Sequence, residues 1–314
     1  MEAPKKILLC LVGDKVGDSI VASFMPRELK KLFPQVQVTV MSTASPDLWQ
    51  HNPHVDQILA IPYGKGRWKK IFQLLPQLRK EHYDLLIATG HSLKRKICFY
   101  LIRAKQTICV DSCAPQQVHY SQRFEGVFRR LGATHIDSRY ELHMPDTDKQ
   151  AVFSFMQTQH LVGGRFLVFN PIGADAFRCL SIPKISEICT SLQQVLPADF
   201  PIVLLDYKHQ YDCLQNQCIL YRGNSLLRTA ALIEQAGYVL TVDTGIAHIA
   251  DAFEKQMTVL FSLQPFPTAE AARAHLGRWT PRTAGTGVVC TRQQMNDINS
   301  QYIVNGVQNL ISKR

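Results

Sequence analysis

The sequence lacks several features that mark out whole classes of protein. No apolar run approaches the roughly 18 residues that a membrane-spanning helix requires. Lys5-Lys6 before Ile7–Val12 imitate a secretory leader, but the run is six residues, short of an h-region of roughly 7–15, and Gly13-Asp14 follow it. A buried first strand and a cytoplasmic protein are expected instead. No Cys-x-x-Cys occurs among the nine cysteines, and the tightest pairs, Cys109/Cys113 and Cys213/Cys218, find no second ligand pair downstream. That argues against a zinc site and for mostly buried thiols in a reducing compartment. Gly-x-Gly-x-x-Gly and Gly-Lys-Ser/Thr are both missing, which removes support for a dinucleotide fold or a Walker loop. Low-complexity tracts and solenoid-period repeats are absent as well.

What is present is ordinary globular material. The chain has 314 residues, 46% hydrophobic and 19% charged, enough for two well-cored domains. Its charge is uneven. The net charge is +10, and residues 61–130 hold fourteen Lys/Arg against Glu81, Asp84, Asp111 and Glu125, so this one stretch carries the whole excess. A single-sign field of that kind draws a polyanion: nucleic acid, an anionic membrane surface or a phosphorylated substrate.

Short apolar runs alternate with helical periodicities. Ile7–Val12, Val36–Met41, Gln57–Ile61, Asp84–Ala88 and Thr107–Val110 read as strands. Ile20–Leu32, Trp68–Lys80, Leu93–Arg103 and Val118–Leu131 read as helices. A second series has strands at Phe166–Phe169, Ile202–Leu205, Tyr238–Val242 and Met257–Phe261. Its helices are Ile182–Leu196, Leu226–Gln235, Asp243–Phe253 and Asp297–Ile311. The polar, then glycine-bearing, stretch 144–164 suits a linker. The expectation is α/β: two doubly wound domains, 1–160 and 161–314, with a ligand cleft at the carboxyl ends of the strands and a last helix that packs back on the first domain.

Three loops could carry chemistry. Gly13-Asp-Lys-Val-Gly-Asp18 follows the first strand; its two carboxylates disfavour a phosphate cradle, and Asp18 is either the N-cap of a helix starting at Ser19 or a base for a substrate hydroxyl. Asp243-Thr-Gly-Ile-Ala-His248 opens a helix that Asp243 can cap. There the N–H groups of Thr244 and Gly245 suit an anion such as a diphosphate, and His248 lies a turn further in. Asn170-Pro-Ile-Gly-Ala-Asp-Ala-Phe-Arg178 leaves a strand and ends on a guanidinium suited to phosphate oxygens.

Taken together, Gly17–Pro34, Asn52-Pro-His-Val-Asp56, Asp84–Arg103 and Ser225–Leu260, centred on Asp243-Thr-Gly-x-x-His248, resemble the heptosyltransferase family, glycosyltransferase family 9. The resemblance runs from residue 5 to about 281. It implies a GT-B architecture of two Rossmann-like domains facing across a cleft, the first binding acceptor and the second the nucleotide sugar. It implies an inverting transfer, without metal or other cofactor, from ADP-L-glycero-D-manno-heptose to the lipopolysaccharide inner core. Asp18 matches the general base. Arg178, Asp243, Thr244, Gly245 and His248 match the donor site, with Arg178 where the family usually has lysine. In the basic domain, Lys65, Arg67, Lys94, Arg95, Lys96 and Arg123 are the expected contacts to an anionic lipid A–core acceptor. Peripheral association with the cytoplasmic face of the inner membrane follows, with Trp68 either at that interface or in the core.

The chain departs from the family's Lys-Arg-Trp-Pro at Arg178-Cys-Leu-Ser181 and from its Gly-x-Thr-x-Pro at Ser262-Leu-Gln-Pro-Phe-Pro267. No glutamate matches the residue that holds the ribose; Asp206 and Asp212 are the nearest stand-ins. Donor base and sugar therefore stay open, with UDP- or GDP-linked sugars as alternatives. A nucleotide-sugar epimerase shares the fold but leaves the basic domain unexplained. A nucleic-acid-binding protein lacks a recognisable motif in that stretch, so no nucleic-acid partner is expected.

Overall fold

Apolar runs of four to six residues, bounded by polar turns, become parallel strands because a strand covered by helices on both sheet faces can bury every side chain. A computed structural model describes residues 3–12, 15–43, 46–90, 92–115 and 117–311. Gly13, Asp14 and His91, singled out above, lie outside the described residues. The contacts divide the chain into two units, Met1–His143 and Met144–Arg314.

The first unit runs β1 (Lys6–Leu11), α1 (Val16–Val21), α2 (Met25–Leu32), β2 (Gln37–Ser42), α3 (Asp47–Gln50), β3 (Gln57–Ala60), α4 (Arg67–Lys80), β4 (Leu85–Ala88), α5 (Leu93–Ile102), β5 (Gln106–Cys109) and α6 (Tyr120–Arg130). Its five strands are parallel in the order β3-β2-β1-β4-β5. The second runs α7 (Asp146–Thr158), β6 (Leu167–Asn170), α8 (Ile182–Gln193), β7 (Ile202–Leu205), β8 (Ile219–Tyr221), α9 (Leu226–Gln235), β9 (Tyr238–Val242), α10 (Gly245–Ala252), β10 (Met257–Ser262), α11 (Ala269–Trp279), β11 (Thr286–Thr291) and α12 (Ser300–Ile311). Its six strands are also parallel, in the order β11-β10-β9-β6-β7-β8. Both expected doubly wound α/β domains are therefore present. Strand order reverses between β1 and β4 in one sheet and between β6 and β9 in the other. At such a point consecutive loops run to opposite sides and leave a crevice at the carboxyl edge.

Several expectations are corrected. The stretch 144–164 is not a linker: Asp146–Thr158 is helical and packs on α9, with Asp148 taking Arg228 Nε at 3.1 Å, so the boundary falls at His143/Met144 rather than near residue 160. The last helix, α12, lies on α8, β10 and β11 of its own unit. The first helical stretch is two helices, because α1 ends at Val21 and α2 restarts with Pro26 in its first turn. All nine cysteines are free thiols, but only Cys10, Cys98, Cys189 and Cys218 are buried.

Each sheet has its own core. In the first unit Leu8, Cys10, Leu86 and Ala88 of the central strands meet Ile71, Leu75 and Leu78 of α4 and Phe99 and Ile102 of α5. In the second, Leu167, Phe169, Leu204 and Leu240 meet Ile185, Ile188 and Leu192 of α8 and Ile303, Val304 and Val307 of α12. Packing is tight enough to dictate single residues. Gly126 of α6 sits where any Cβ would run into the backbone carbonyl of Cys113, and backbone cannot swing aside as a side-chain tip can. Gly126→Ala is expected to cost about 2 kcal/mol in urea unfolding; an unchanged midpoint would contradict this packing.

Candidate functional site

In the first unit, α1 begins at Val16 directly after the β1 loop, with Lys15 as N-cap residue. Asp18 is therefore not the N-cap of a helix starting at Ser19. It stands in the first turn and its Oδ2 accepts the Lys15 backbone N–H at 2.8 Å. Burial pushes its carboxyl above the ordinary value; the Lys15 N–H, the Lys15 charge and the Arg95 guanidinium pull it back, and Asp111 pushes it up again.

The loops after β4 and β5 complete this half. Gly90 follows β4 at φ +89°, and its N–H donates to Asp111 Oδ2 at 2.6 Å. Arg95, in the first turn of α5, lies across Gly90 where a Cβ would clash, and donates to the Thr89 carbonyl at 3.1 Å. Asp111 also takes Arg123 Nη1 at 2.7 Å. Thus Arg95 and, through Asp111, Arg123 belong to the Asp18 cluster. Arg123 departs from its expected role as a surface contact: it is 3% exposed, paired with Asp111 and stacked over Tyr120. Lys65, Lys94 and Lys96 are exposed and Arg67 half-buried, and no ion pair among the described residues links them to this cluster. Trp68 is half-buried against the α4 core beneath the Arg67 guanidinium, nearer to the core reading.

In the second unit, β9 ends at Val242 and α10 begins at Gly245. The cap is Thr244, whose Oγ1 accepts the Ile246 N–H at 3.1 Å, and not Asp243 as expected. Asp243 is thereby released to face other loops. Its Oδ2 meets Arg178 Nη1 at 3.1 Å and His275 Nε2 at 3.1 Å. Burial opposes its charge, but the His275 hydrogen bond and the Arg178 guanidinium prevail, so its carboxyl sits below the ordinary value.

Arg178 is reached by a loop that folds back at Gly173, where a Cβ would come within 2.5 Å of the Arg178 Cβ, and its guanidinium lies over Phe177. Asn170 at the end of β6 ties the two loops together, its Nδ2 within reach of Ile172 O at 3.1 Å, Thr241 Oγ1 at 3.0 Å and Thr244 Oγ1 at 3.2 Å. His248 is 3% exposed against Trp279, and burial lowers its pKa, favouring the neutral ring. Arg178, Asp243, Thr244 and Gly245 are thus brought to one edge, while His248 is a packed side chain near it. Asp206 is fully buried with Arg222 and the Gln210 N–H on its two oxygens, so it is not available to a ribose; exposed Asp212 pairs with the same Arg222.

His275 was not foreseen. It stacks on Phe266, ring centroids 4.5 Å apart, and holds Asp243 from α11, a helix the sequence reading passed over. Thr268 as N-cap and the spacing Ala272, Leu276, Trp279 were the signals available.

The chain thus carries two doubly wound parallel sheets, one with a carboxylate of raised pKa at its switch point and one with a guanidinium beside a capped helix N-terminus. No family model matches the chain. It is 21% identical to an Escherichia coli K12 protein with the provisional name lipopolysaccharide heptosyltransferase 4, over 98% of this chain and 88% of that one. Among solved structures it superposes on a glycosyl transferase family 9 protein from Veillonella parvula with a TM-score of 0.81 at 13% identity, over 100% of this chain and 99% of that one. An E. coli heptosyltransferase solved with ADP gives a TM-score of 0.70 at 13% identity, over 97% and 99% of the two chains. The chain resembles the lipopolysaccharide heptosyltransferases in sequence and in fold over nearly its whole length.

Asp18 is half-buried, and a carboxylate whose pKa is raised by desolvation costs stability while it is ionised. Its folded value lies above its unfolded one, so the cost is present at neutral pH and vanishes as pH falls through both. Asp18→Asn, which keeps an oxygen for the Lys15 N–H, is expected to melt higher than wild type near neutral pH. The advantage should shrink towards pH 3.8, the ordinary carboxyl value. A lower melting temperature at neutral pH would contradict the upward shift of the Asp18 carboxyl.

Proposed function

We propose that the protein is an inverting glycosyltransferase that moves a heptose from ADP-L-glycero-D-manno-heptose to the inner core of a lipopolysaccharide acceptor. The observation that carries this reading is Arg178 held at 3.1 Å on Asp243 beside the Thr244-capped start of α10. Cation and helix N-terminus converge there, as a departing nucleoside diphosphate requires. The E. coli heptosyltransferase solved with ADP supports adenine as the base.

Asp18 is the general base. Its carboxylate accepts the proton of the attacking acceptor hydroxyl as the new glycosidic bond forms on the face opposite the leaving ADP, which inverts the anomeric centre. The raised pKa of Asp18 makes it a stronger base than a solvated aspartate, and Arg95 keeps the ionised form populated. In the donor half, Arg178 and the N–H groups of Thr244 and Gly245 take up the charge that develops on the diphosphate. Asp243, fixed by Arg178 and His275, is left to orient sugar hydroxyls, a carboxylate being acceptor-only. The acceptor is lipid-borne and anionic, and Lys65, Arg67, Lys94 and Lys96 supply the complementary charge. The protein works peripherally at the cytoplasmic face of the inner membrane.

The test is transfer from ADP-heptose to a heptose-deficient lipooligosaccharide acceptor, followed by mass spectrometry. Wild type is expected to add one heptose. Asp18→Ala is expected to lose about 100- to 10,000-fold in kcat with KM for the donor nearly unchanged. Comparable kcat in mutant and wild type would remove Asp18 from the role of base.

A further inference from the structure

The acceptor reading leaves one surface of the first unit unexplained. Helix α5 buries Cys98, Phe99 and Ile102 against its sheet, yet its opposite side is also apolar. Leu93, Ile97 and Tyr100 follow one another at i, i+4 and i+7 and are 73%, 48% and 83% exposed. Helix α4 packs beside α5 and adds Phe72, 50% exposed. An amphipathic surface helix turns a polar face outward; a helix apolar on both sides has something further to cover it.

Charge identifies the cover. Lys69, Lys70, Lys94, Lys96 and Arg103 stand on the same two helices or at their ends and are exposed. The two carboxylates of this region are spoken for, Glu81 by Lys6 at 2.8 Å and Asp84 by Lys105 at 2.7 Å. No ion pair among the described residues neutralises those five cations. Aromatic and aliphatic side chains ringed by unneutralised lysine and arginine match an anionic interface, where the rings enter the headgroup boundary and the cations meet lipid phosphates.

We infer that the outer face of α4 and α5 is a docking surface for an anionic phospholipid bilayer, with Leu93, Ile97 and Tyr100 entering the headgroup layer. This deepens the proposed function, since it rests on a lipid-borne acceptor to give it purpose. Its test nevertheless needs no acceptor.

The experiment is flotation of the full chain with vesicles of phosphatidylethanolamine and phosphatidylglycerol, against vesicles of phosphatidylcholine alone. Wild type is expected to float with the anionic vesicles only, and less as salt rises. Ile97→Glu with Tyr100→Glu is expected to lower the partition by about a hundredfold. Transfer to a soluble, deacylated acceptor should be unchanged, which separates this inference from the catalytic reading. Tyr100→Ser alone, at a side chain with little native packing to lose, keeps the test valid if the double variant unfolds; a loss of about tenfold is expected. Undiminished flotation of either folded variant would overturn the inference. So would a dimer broken by Ile97→Glu without vesicle binding, or capture of duplex RNA in place of vesicles.

Discussion

A carboxylate taken out of water at the edge of a parallel sheet is tolerated only where cations meet it, and in the second unit the site is organised around that requirement. Asp243 lies at the carboxyl end of β9, immediately before the helix start. The groups that stabilise it come from two other segments, the Arg178 guanidinium after β6 and the His275 ring nitrogen on α11. Because Thr244 rather than Asp243 caps α10, the carboxylate is free to draw these segments together. Gly173 then has to be glycine for the Arg178 loop to close, and Asn170 ties the start of that loop to Thr244. One buried charge thereby sets the relative placement of three loops whose sequences are far apart.

The first unit meets the same problem with another balance. Asp111 is matched by the buried Arg123, and Asp18 by the more distant influence of Lys15 and Arg95, against desolvation and the Asp111 charge. The outcome is opposite: Asp243 is held below the ordinary carboxyl value and Asp18 above it. Two carboxylates at two switch points are thus differentiated by their neighbours, one held as a fixed anion and one made less ready to ionise.

Much of this was legible in the sequence because parallel strands buried on both faces are short, uniformly apolar and bounded by polar turns. Ile202–Leu205, Leu226–Gln235 and Tyr238–Val242 stand where the patterning puts them. What escaped had weak patterning. Helix α7 turns only Val152 and Met156 of its apolar residues fully inward, so its sequence reads as polar. Edge strand β11 is half-exposed along its length, with no buried run to see. At helix starts the ambiguity was chemical. Asp243 and Thr244 can both cap, and their spacing does not say which; at Asp18 the capping residue proved to be Lys15, which gives no signal. His275 depends on a contact 32 residues away in sequence, which local patterning does not encode.

The central claim, that Arg178 and the start of α10 form a nucleoside diphosphate site, is tested most directly by calorimetric titration with ADP, UDP and GDP, without and with magnesium. The account predicts that ADP binds tightest, that magnesium leaves its affinity unchanged, and that Arg178→Ala weakens it by about tenfold or more. Wild-type affinity in Arg178→Ala, or no binding of any of the three nucleotides, would contradict it.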